Sequence, residues 1–109
     1  MTQSALDQLE TDPQGYLKNA QDWSEEIARA IASRENINLT EDHWQVVNYV
    51  RQFYLEFETS PSIRPLVKYL QLQLPAEKSN SLYLQILFPE GPAKQATKIA
   101  GLPKPARCT

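Results

Sequence analysis

The feature that most constrains the fold is a long helical pattern of apolar residues from about 41 to 58. Thr40 is a good N-cap for this helix, and Glu41 and Asp42 follow where the helix macrodipole favours acids. Apolar side chains then recur every three or four residues, in the set Trp44, Val46, Val47, Tyr49, Val50, Phe53, Tyr54 and Phe57. A face this wide has to be covered by other elements, so we expect this helix to form the centre of the core.

Four further stretches have helical patterns, and they cover about 23–34, 62–74, 81–88 and 92–100. Asp22 and Glu25 have the spacing of a capping box at the start of the first, and Gly101 is the expected stop of the last. The stretch 81–88 is nearly all apolar and predicts a short buried helix. Residues 15–17 are compatible with a short strand. The sequence therefore predicts a mainly α protein: a small helical bundle with a possible short N-terminal β-hairpin and a flexible C-terminal arm.

The last residues cannot continue the helical pattern, because Pro103 and Pro105 exclude it. We therefore expect a helical body, residues 1–101, and an extended, mobile arm, residues 102–109. Residues 1–90 contain thirteen acids and seven Lys or Arg, whereas residues 91–109 contain four Lys or Arg and no acid. The arm is thus predicted to be basic and the body acidic.

The arm contains Cys108, the single cysteine of the sequence. A thiolate is a nucleophile, and neighbouring cations such as Arg107 and Lys104 lower the pKa of a thiol, although a carboxylate on Thr109 would oppose them. Residues 102–108 could extend on the order of 20 Å and insert the sulfur into a partner's active site. An incidental terminal cysteine remains the alternative interpretation of the spacing alone.

A single cysteine cannot form an internal disulfide and fits a reducing compartment. No signal peptide or membrane span is recognisable, so we expect a cytoplasmic protein without membrane contact. His43, the single histidine, is expected near the surface at the start of the long helix. One histidine and one cysteine do not make a metal site, and we disfavour a Cys108–His43 dyad because the arm would have to fold back. No metal or other cofactor is predicted.

A helix-turn-helix DNA-binding protein is the alternative from another functional class. The long helix, the turn at Pro61 and the helix 62–74 have this arrangement, and Arg64, Lys68 and Gln71 would face DNA. The net charge of −2 and the lack of a basic cluster in the body count against it. Four acids on the long helix also count against DNA binding, namely Glu41, Asp42, Glu56 and Glu58. We favour two packed core helices.

The stretch from Gly91 to Cys108, which reads GPAK-x-A-x-KIAGLPKP-x-x-C, resembles the TusE/DsrC family of sulfur-carrier proteins. Further similar stretches are Gly15-Tyr16-Leu17, Asp22-Trp23, Leu39-Thr40-Glu41-Asp42-His43-Trp44, Pro61-Ser62-Ile63-Arg64 and the run 87–94. The resemblance implies a mainly helical bundle with a small amino-terminal hairpin and a mobile carboxyl arm. It also implies a sulfurtransferase whose penultimate cysteine, here Cys108, carries persulfide sulfur.

The resemblance further implies which branch of the family applies. DsrC proper has a second cysteine where this sequence has Thr97, which favours the TusE branch and 2-thiolation of wobble uridine in tRNA. The implied partners are a TusBCD-type donor complex and an MnmA-type thiouridylase, with tRNA contacted only indirectly. A DsrC-like sulfur-trafficking or regulatory role is the alternative within the family. Besides Cys108, the predicted arm and docking residues are Gly101, Leu102, Pro103, Lys104, Pro105 and Arg107.

Overall fold

The computed structural model of the chain describes residues 9–104, and within them five α-helices follow one another. They are α1 (Glu25–Arg34), α2 (Glu41–Phe57), α3 (Ile63–Gln71), α4 (Ser81–Leu87) and α5 (Pro92–Ile99). Two single turns of 3-10 helix, Ala20–Asp22 and Ala76–Lys78, lie before α1 and before α4. The predicted mainly helical fold is confirmed. Among the helices of the described range, none has the length and hydropathy that crossing a membrane requires.

The predicted amino-terminal hairpin is a tight loop with one isolated antiparallel bridge, between Thr11 and Leu17. The Asp12 carboxylate accepts hydrogen bonds from the backbone N–H groups of Gln14 and Tyr16, at 2.9 and 3.0 Å. Short polar side chains often stabilise turns in this way. Leu17 is buried at the end of the loop, so the loop closes over the helical core.

Helix α1 begins two residues later than the sequence pattern predicted, and its cap is a different residue. Ser24 is the N-cap, and its hydroxyl accepts a hydrogen bond from the Ile27 N–H at 3.2 Å. Asp22 lies in the preceding 3-10 turn, so its predicted role in a capping box is wrong. Because Trp23 is therefore extended rather than helical, its side chain is available for contacts elsewhere.

The centre of the bundle is the short helix α5, which packs against all four other helices. Most of its residues are buried, namely Pro92, Ala93, Gln95, Ala96, Thr97 and Ile99. Ala93 and Ala96 are small, so neighbouring backbones can approach α5 closely. The expectation that α2 forms the centre is wrong, because α2 covers one side of α5 instead.

Two predicted apolar faces are placed differently from the sequence expectation. The buried face of α2 consists of His43, Val46, Val47, Val50 and Phe53, whereas Phe57 is about half exposed. On α4 only Leu84 is buried, and Leu82 and Ile86 are 71% and 70% exposed. The predicted buried helix at 81–88 is therefore a surface helix with one buried side.

Candidate functional site

The candidate site begins at the carboxyl end of α5, where the chain turns towards the predicted sulfur-carrying cysteine. We call residues 99–103 the arm base. Gly101 has a φ of 73°, a left-handed conformation that glycine adopts without strain. The N–H of Gly101 donates to the Lys98 carbonyl at 3.0 Å, and the N–H of Leu102 donates to the Thr97 carbonyl at 3.2 Å. This pair of bonds is a Schellman motif, so the predicted stop at Gly101 is confirmed.

Two side chains from distant parts of the sequence bind the next two carbonyl groups. Trp23 Nε1 donates to the carbonyl of Ile99 at 2.8 Å, and Arg51 Nη1 donates to the carbonyl of Ala100 at 2.7 Å. The Arg51 guanidinium carbon lies 4.0 Å from the centre of the Trp23 ring, a cation–π contact. Burial lowers the pKa of Arg51 from its ordinary value. The arginine also complements the negative end of the α5 macrodipole.

The next two residues of the arm base are also held by the body. Leu102 is 1% exposed and belongs to the hydrophobic core. Ser60, in the connection between α2 and α3, donates from Oγ to the Pro103 carbonyl at 2.6 Å. Leu102 was expected to be the first mobile residue of the arm, but its burial places it in the body because its side chain fills the core.

The predicted site residues thus fall into two groups. Gly101, Leu102 and Pro103 form part of the arm base, and Lys104 is exposed immediately after it. Cys108, Pro105 and Arg107 lie outside the described residues. The structure therefore defines the contacts of the chain with the body as far as residue 104, and the roles of these three residues stay predictions.

A polar pocket of about 300 Å³ lies beside the arm base. Its lining is Gln14, Tyr16, Glu35, Glu90, Lys94, Gln95, Lys98 and Lys104, and we call it the lysine pocket. Lys98 Nζ lies 3.2 Å from Glu35 Oε2 and 5.1 Å from the centre of the Tyr16 ring. Three lysines against two glutamates make this lining positive, in contrast to the acidic body. The basic character predicted for the arm thus extends onto the surface beside its origin.

Thr97, the position where the resemblance implies a second cysteine in DsrC proper, lies inside the body. Its side chain is 0% exposed, and its hydroxyl has no hydrogen-bond partner among the described residues. A hydroxyl cannot form a disulfide, and this one is also covered by the surrounding helices. Position 97 therefore offers no second sulfur to Cys108.

His43 is buried and structural, so the expectation of a position near the surface is wrong. Its Nδ1 accepts from the Thr40 N–H at 3.2 Å, and its Nε2 donates to the Leu87 carbonyl at 2.8 Å. The ring also packs edge-on against Phe88 with centroids 5.2 Å apart. Both nitrogens are used in joining the start of α2 to the end of α4, so the histidine has no free nitrogen to act as a base.

The residues proposed for DNA contact in the alternative interpretation lie on α3. Arg64, Lys68 and Gln71 are exposed, whereas Leu66 and Leu70 pack into the core. The α2–α3 pair is thus part of the bundle core, as the preferred interpretation expected. Contact of the exposed α3 residues with DNA stays untested.

Sequence reasoning missed the three side chains that hold the arm base: Trp23, Arg51 and Ser60. Arg51 offered a signal, because it interrupts the apolar spacing of α2 between Val50 and Tyr54. A cation in such a position needs a buried acceptor, and the acceptor is the Ala100 carbonyl. Trp23 and Ser60 gave no such signal, since tryptophan is common in cores and serine is common in turns.

Comparison with known proteins gives one consistent family. The model of the family described as DsrC like protein matches residues 3–109. The chain is 61% identical over 101 residues to the sulfurtransferase TusE homolog of Haemophilus influenzae, covering 93% of each chain. It is 59% identical over 101 residues to sulfurtransferase TusE of Escherichia coli, again covering 93% of each.

Solved structures agree with this similarity. The NMR structure of Allochromatium vinosum DsrC matches with a TM-score of 0.83 and 46% identity, over 93% of this chain and 90% of that one. The crystal structure of the oxidized gamma-subunit of the dissimilatory sulfite reductase (DsrC) from Archaeoglobus fulgidus matches with a TM-score of 0.80 and 39% identity. That match covers 93% of this chain and 92% of the archaeal one.

Proposed function

The chain belongs to the DsrC-like protein family, and on this premise we propose that it is a sulfurtransferase that relays sulfur for the 2-thiolation of tRNA. Cys108 is the proposed carrier, because it is the single cysteine of the sequence and stands at the end of the family motif. This observation carries the proposal. The structure supports it by describing contacts that hold the chain to the body as far as Pro103, five residues before the sulfur.

The proposed reaction is a thiol–persulfide exchange. The Cys108 thiolate attacks the outer sulfur of a donor persulfide, so that a new S–S bond forms on Cys108 and the S–S bond of the donor breaks. The inner sulfur of the donor leaves as a thiolate and takes up a proton from solvent, while the outer sulfur keeps its proton on Cys108. In the second step an acceptor thiol attacks the outer sulfur on Cys108 and regenerates its thiolate. The number of S–S bonds is constant in each step, so the exchange needs no oxidant.

The sequence supports a relay with one cysteine. Because Thr97 is a buried hydroxyl, sulfur accepted by Cys108 leaves by attack from another protein's thiol, or is used as the persulfide itself. We propose a TusBCD-type complex as the donor and an MnmA-type thiouridylase acting on wobble uridine as the acceptor. The acidic body suits a carrier that leaves tRNA binding to this acceptor. The cytoplasm, where tRNA is modified, is the proposed location.

The proposal is tested by replacing the carrier thiol. Cys108→Ser is expected to abolish labelling from a persulfide donor without changing the thermal melt, because the residue follows the arm base and its anchors. A gene deletion is expected to lose 2-thiouridine from bulk tRNA, with rescue by the wild type and by the neighbouring variant Thr109→Ala but not by Cys108→Ser. Unchanged thiolation in the deletion strain would rule out the function, and rescue by the serine variant would rule out the mechanism.

A further inference from the structure

We propose that Arg51 and Ser60 are positioning residues that fix the arm base and so set the origin and reach of the sulfur on Cys108. This inference rests on the proposed function, because the reach of Cys108 matters to a sulfur carrier. The distance of Cys108 from the body can be measured separately from sulfur transfer. It begins from the backbone carbonyl groups at the end of α5. The last carbonyls of a helix have no partner within the helix and must find one elsewhere.

Every one of these carbonyls is bound. The carbonyls of Thr97 and Lys98 accept the two bonds of the Schellman motif. Those of Ile99 and Ala100 accept from Trp23 and Arg51. Where such groups are left to water, the last turn of a helix can fray. Here the last turn is fixed to the segment before α1 and to α2, so α5 ends rigidly and in one direction.

The contacts with the body continue past the last carbonyl groups of the helix. Leu102 is buried, and Ser60 holds the Pro103 carbonyl at 2.6 Å. Ser60 is itself buried, although its neighbour Thr59 is exposed. Arg51 and Ser60 thus hold the backbone on either side of Leu102, the first at residue 100 and the second at residue 103. The described contacts with the body thus continue past Leu102 as far as residue 103.

The last residue that the body holds, Pro103, determines how far the sulfur of Cys108 can lie from the body. A chain extends at most about 3.6 Å per residue, so Cys108 can lie no more than about 18 Å from Pro103. If the chain were free from Gly101 onward, the limit would be about 25 Å from that residue. The anchors therefore shorten the tether by about 7 Å. A shorter tether with a fixed origin concentrates the sulfur near one face of the body, which lowers the entropy cost of entering a partner's site.

The reach can be measured as a distance distribution between two spin labels by pulsed electron resonance. One label is placed on Cys108 and the other on Glu26→Cys, an exposed position on α1. In this background Ser60→Ala should raise the upper limit of the distribution by about 3 Å, because one residue is released. Adding Arg51→Met should broaden the distribution, because the bond that orients the Ala100 carbonyl is lost. The upper limit should rise no further, because Leu102 stays in the core. The matched control, Thr59→Ala, should leave the distribution unchanged.

Thermal melts accompany each variant, so that a longer reach is scored only in folded protein. Ser60→Ala alone carries the test if the double variant fails to fold. If folded Ser60→Ala gives the same distance distribution between the two labels as the wild type, the inference is overturned. Labelling of the unmodified protein by cysteine persulfide provides the separate check of the proposed function. If Cys108 takes no label there, the role in sulfur delivery fails even where the reach changes.

Discussion

At the scale of single residues, the part of the body that the structure describes contains a buried polar atom that destabilises the fold. The Thr97 hydroxyl is buried at the centre of the bundle without a hydrogen-bond partner among the described residues. Leaving a buried hydroxyl unsatisfied destabilises a protein by about 1–3 kcal/mol. Nothing about the helical position requires the oxygen, because α5 is held by its capping contacts and its alanines.

Replacing the hydroxyl by a methyl group should therefore stabilise the protein. Thr97→Val keeps the shape of the side chain and removes the unsatisfied oxygen, so we expect the free energy of unfolding to rise by about 1 kcal/mol in urea titrations. Thr97→Ser is the matched control, since it keeps the oxygen and loses a methyl group, and it should be less stable than the wild type. A valine variant that loses stability would mean that the hydroxyl has a partner.

Gly101 has two separate reasons to be glycine. Its φ of 73° is unfavourable for other residues, and an added Cβ would lie 2.7 Å from Cβ and Cγ of Trp23 and would also collide with Cδ1 of that ring. Trp23 cannot move away freely, because its Nε1 is bonded to the Ile99 carbonyl. The close approach of the two residues is thus part of the arm base.

Gly101→Ala should destabilise the protein more than backbone strain alone accounts for. Gly15 is the matched control: its φ of 93° is also positive, but an added Cβ would meet only Lys98 side-chain atoms at 3.8–4.0 Å. We expect Gly101→Ala to cost about 1–3 kcal/mol more than Gly15→Ala in chemical denaturation, which is the usual cost of overpacking. Equal losses in the two variants would show that the Trp23 contact is not restrictive.

At the scale of elements, α5 combines two tasks that are usually separate. Its buried residues join the other four helices, and its carboxyl end directs the chain towards Cys108. Glu35, just after α1, binds both Gln95 and Lys98 of α5, at 3.1 and 3.2 Å. The orientation of the exit therefore depends on the packing of the whole bundle around this helix.

Helix α1 offers a test of how an element begins. Ser24→Ala should lower the free energy of unfolding by about 1 kcal/mol, because the Ile27 N–H loses its hydrogen-bond acceptor. Asp22→Ala is the comparison, since the sequence pattern assigned the cap to that residue. We expect it to have the smaller effect in the same denaturation experiment. A larger loss for the aspartate variant would restore the capping box predicted from the sequence.

At the scale of the whole molecule, charge is divided between the body and the exit of the chain. The first ninety residues contain all thirteen acids, and the lysine pocket lies beside the arm base. An acidic body discourages nonspecific contact with RNA, since binding to phosphates depends on cations. A positive lining thus lies beside the segment that leads to Cys108 in the sequence.

The free energy of unfolding should fall at alkaline pH, because two tyrosines have a higher pKa in the folded protein than in the unfolded chain. Burial, with the hydrogen bond to Glu56, raises the pKa of Tyr69, and burial, with the neighbouring Asp42, raises the pKa of Tyr83. A group whose pKa is raised on folding contributes stability below its unfolded pKa, about 10 for tyrosine, and loses that contribution as the pH rises through the folded pKa. Unfolding free energy should therefore fall above about pH 10.

Denaturation between neutral pH and pH 11 tests this expectation. Tyr69→Phe should reduce the alkaline loss of stability, because the variant has no phenol to ionise at that position. Tyr54→Phe, which removes a phenol from α2, is the control for a general effect of losing a tyrosine. The explanation fails if Tyr69→Phe follows the same pH dependence as the wild type.

The sequence alone determined the local features of this protein. Thr40 and Gly101 fixed helix ends because capping depends on a few neighbouring residues, and the apolar periodicity fixed the number of helices for the same reason. The family motif ending at Cys108 pointed to sulfur transfer, because a motif is a property of the sequence itself. These signals act over one or two helical turns and need no knowledge of the rest of the chain.

Only the tertiary structure decided which helix is central and where the arm begins. Periodicity shows that a helix has an apolar face but not what covers that face. The sequence therefore predicted α2 rather than α5 at the centre of the core, and predicted α4 as a buried helix. Trp23, Arg51 and Ser60 meet residues 99–103 across distances of more than forty residues in sequence. Such contacts depend on how the elements pack together, and for this reason the origin of the sulfur-carrying arm could be located only in the folded molecule.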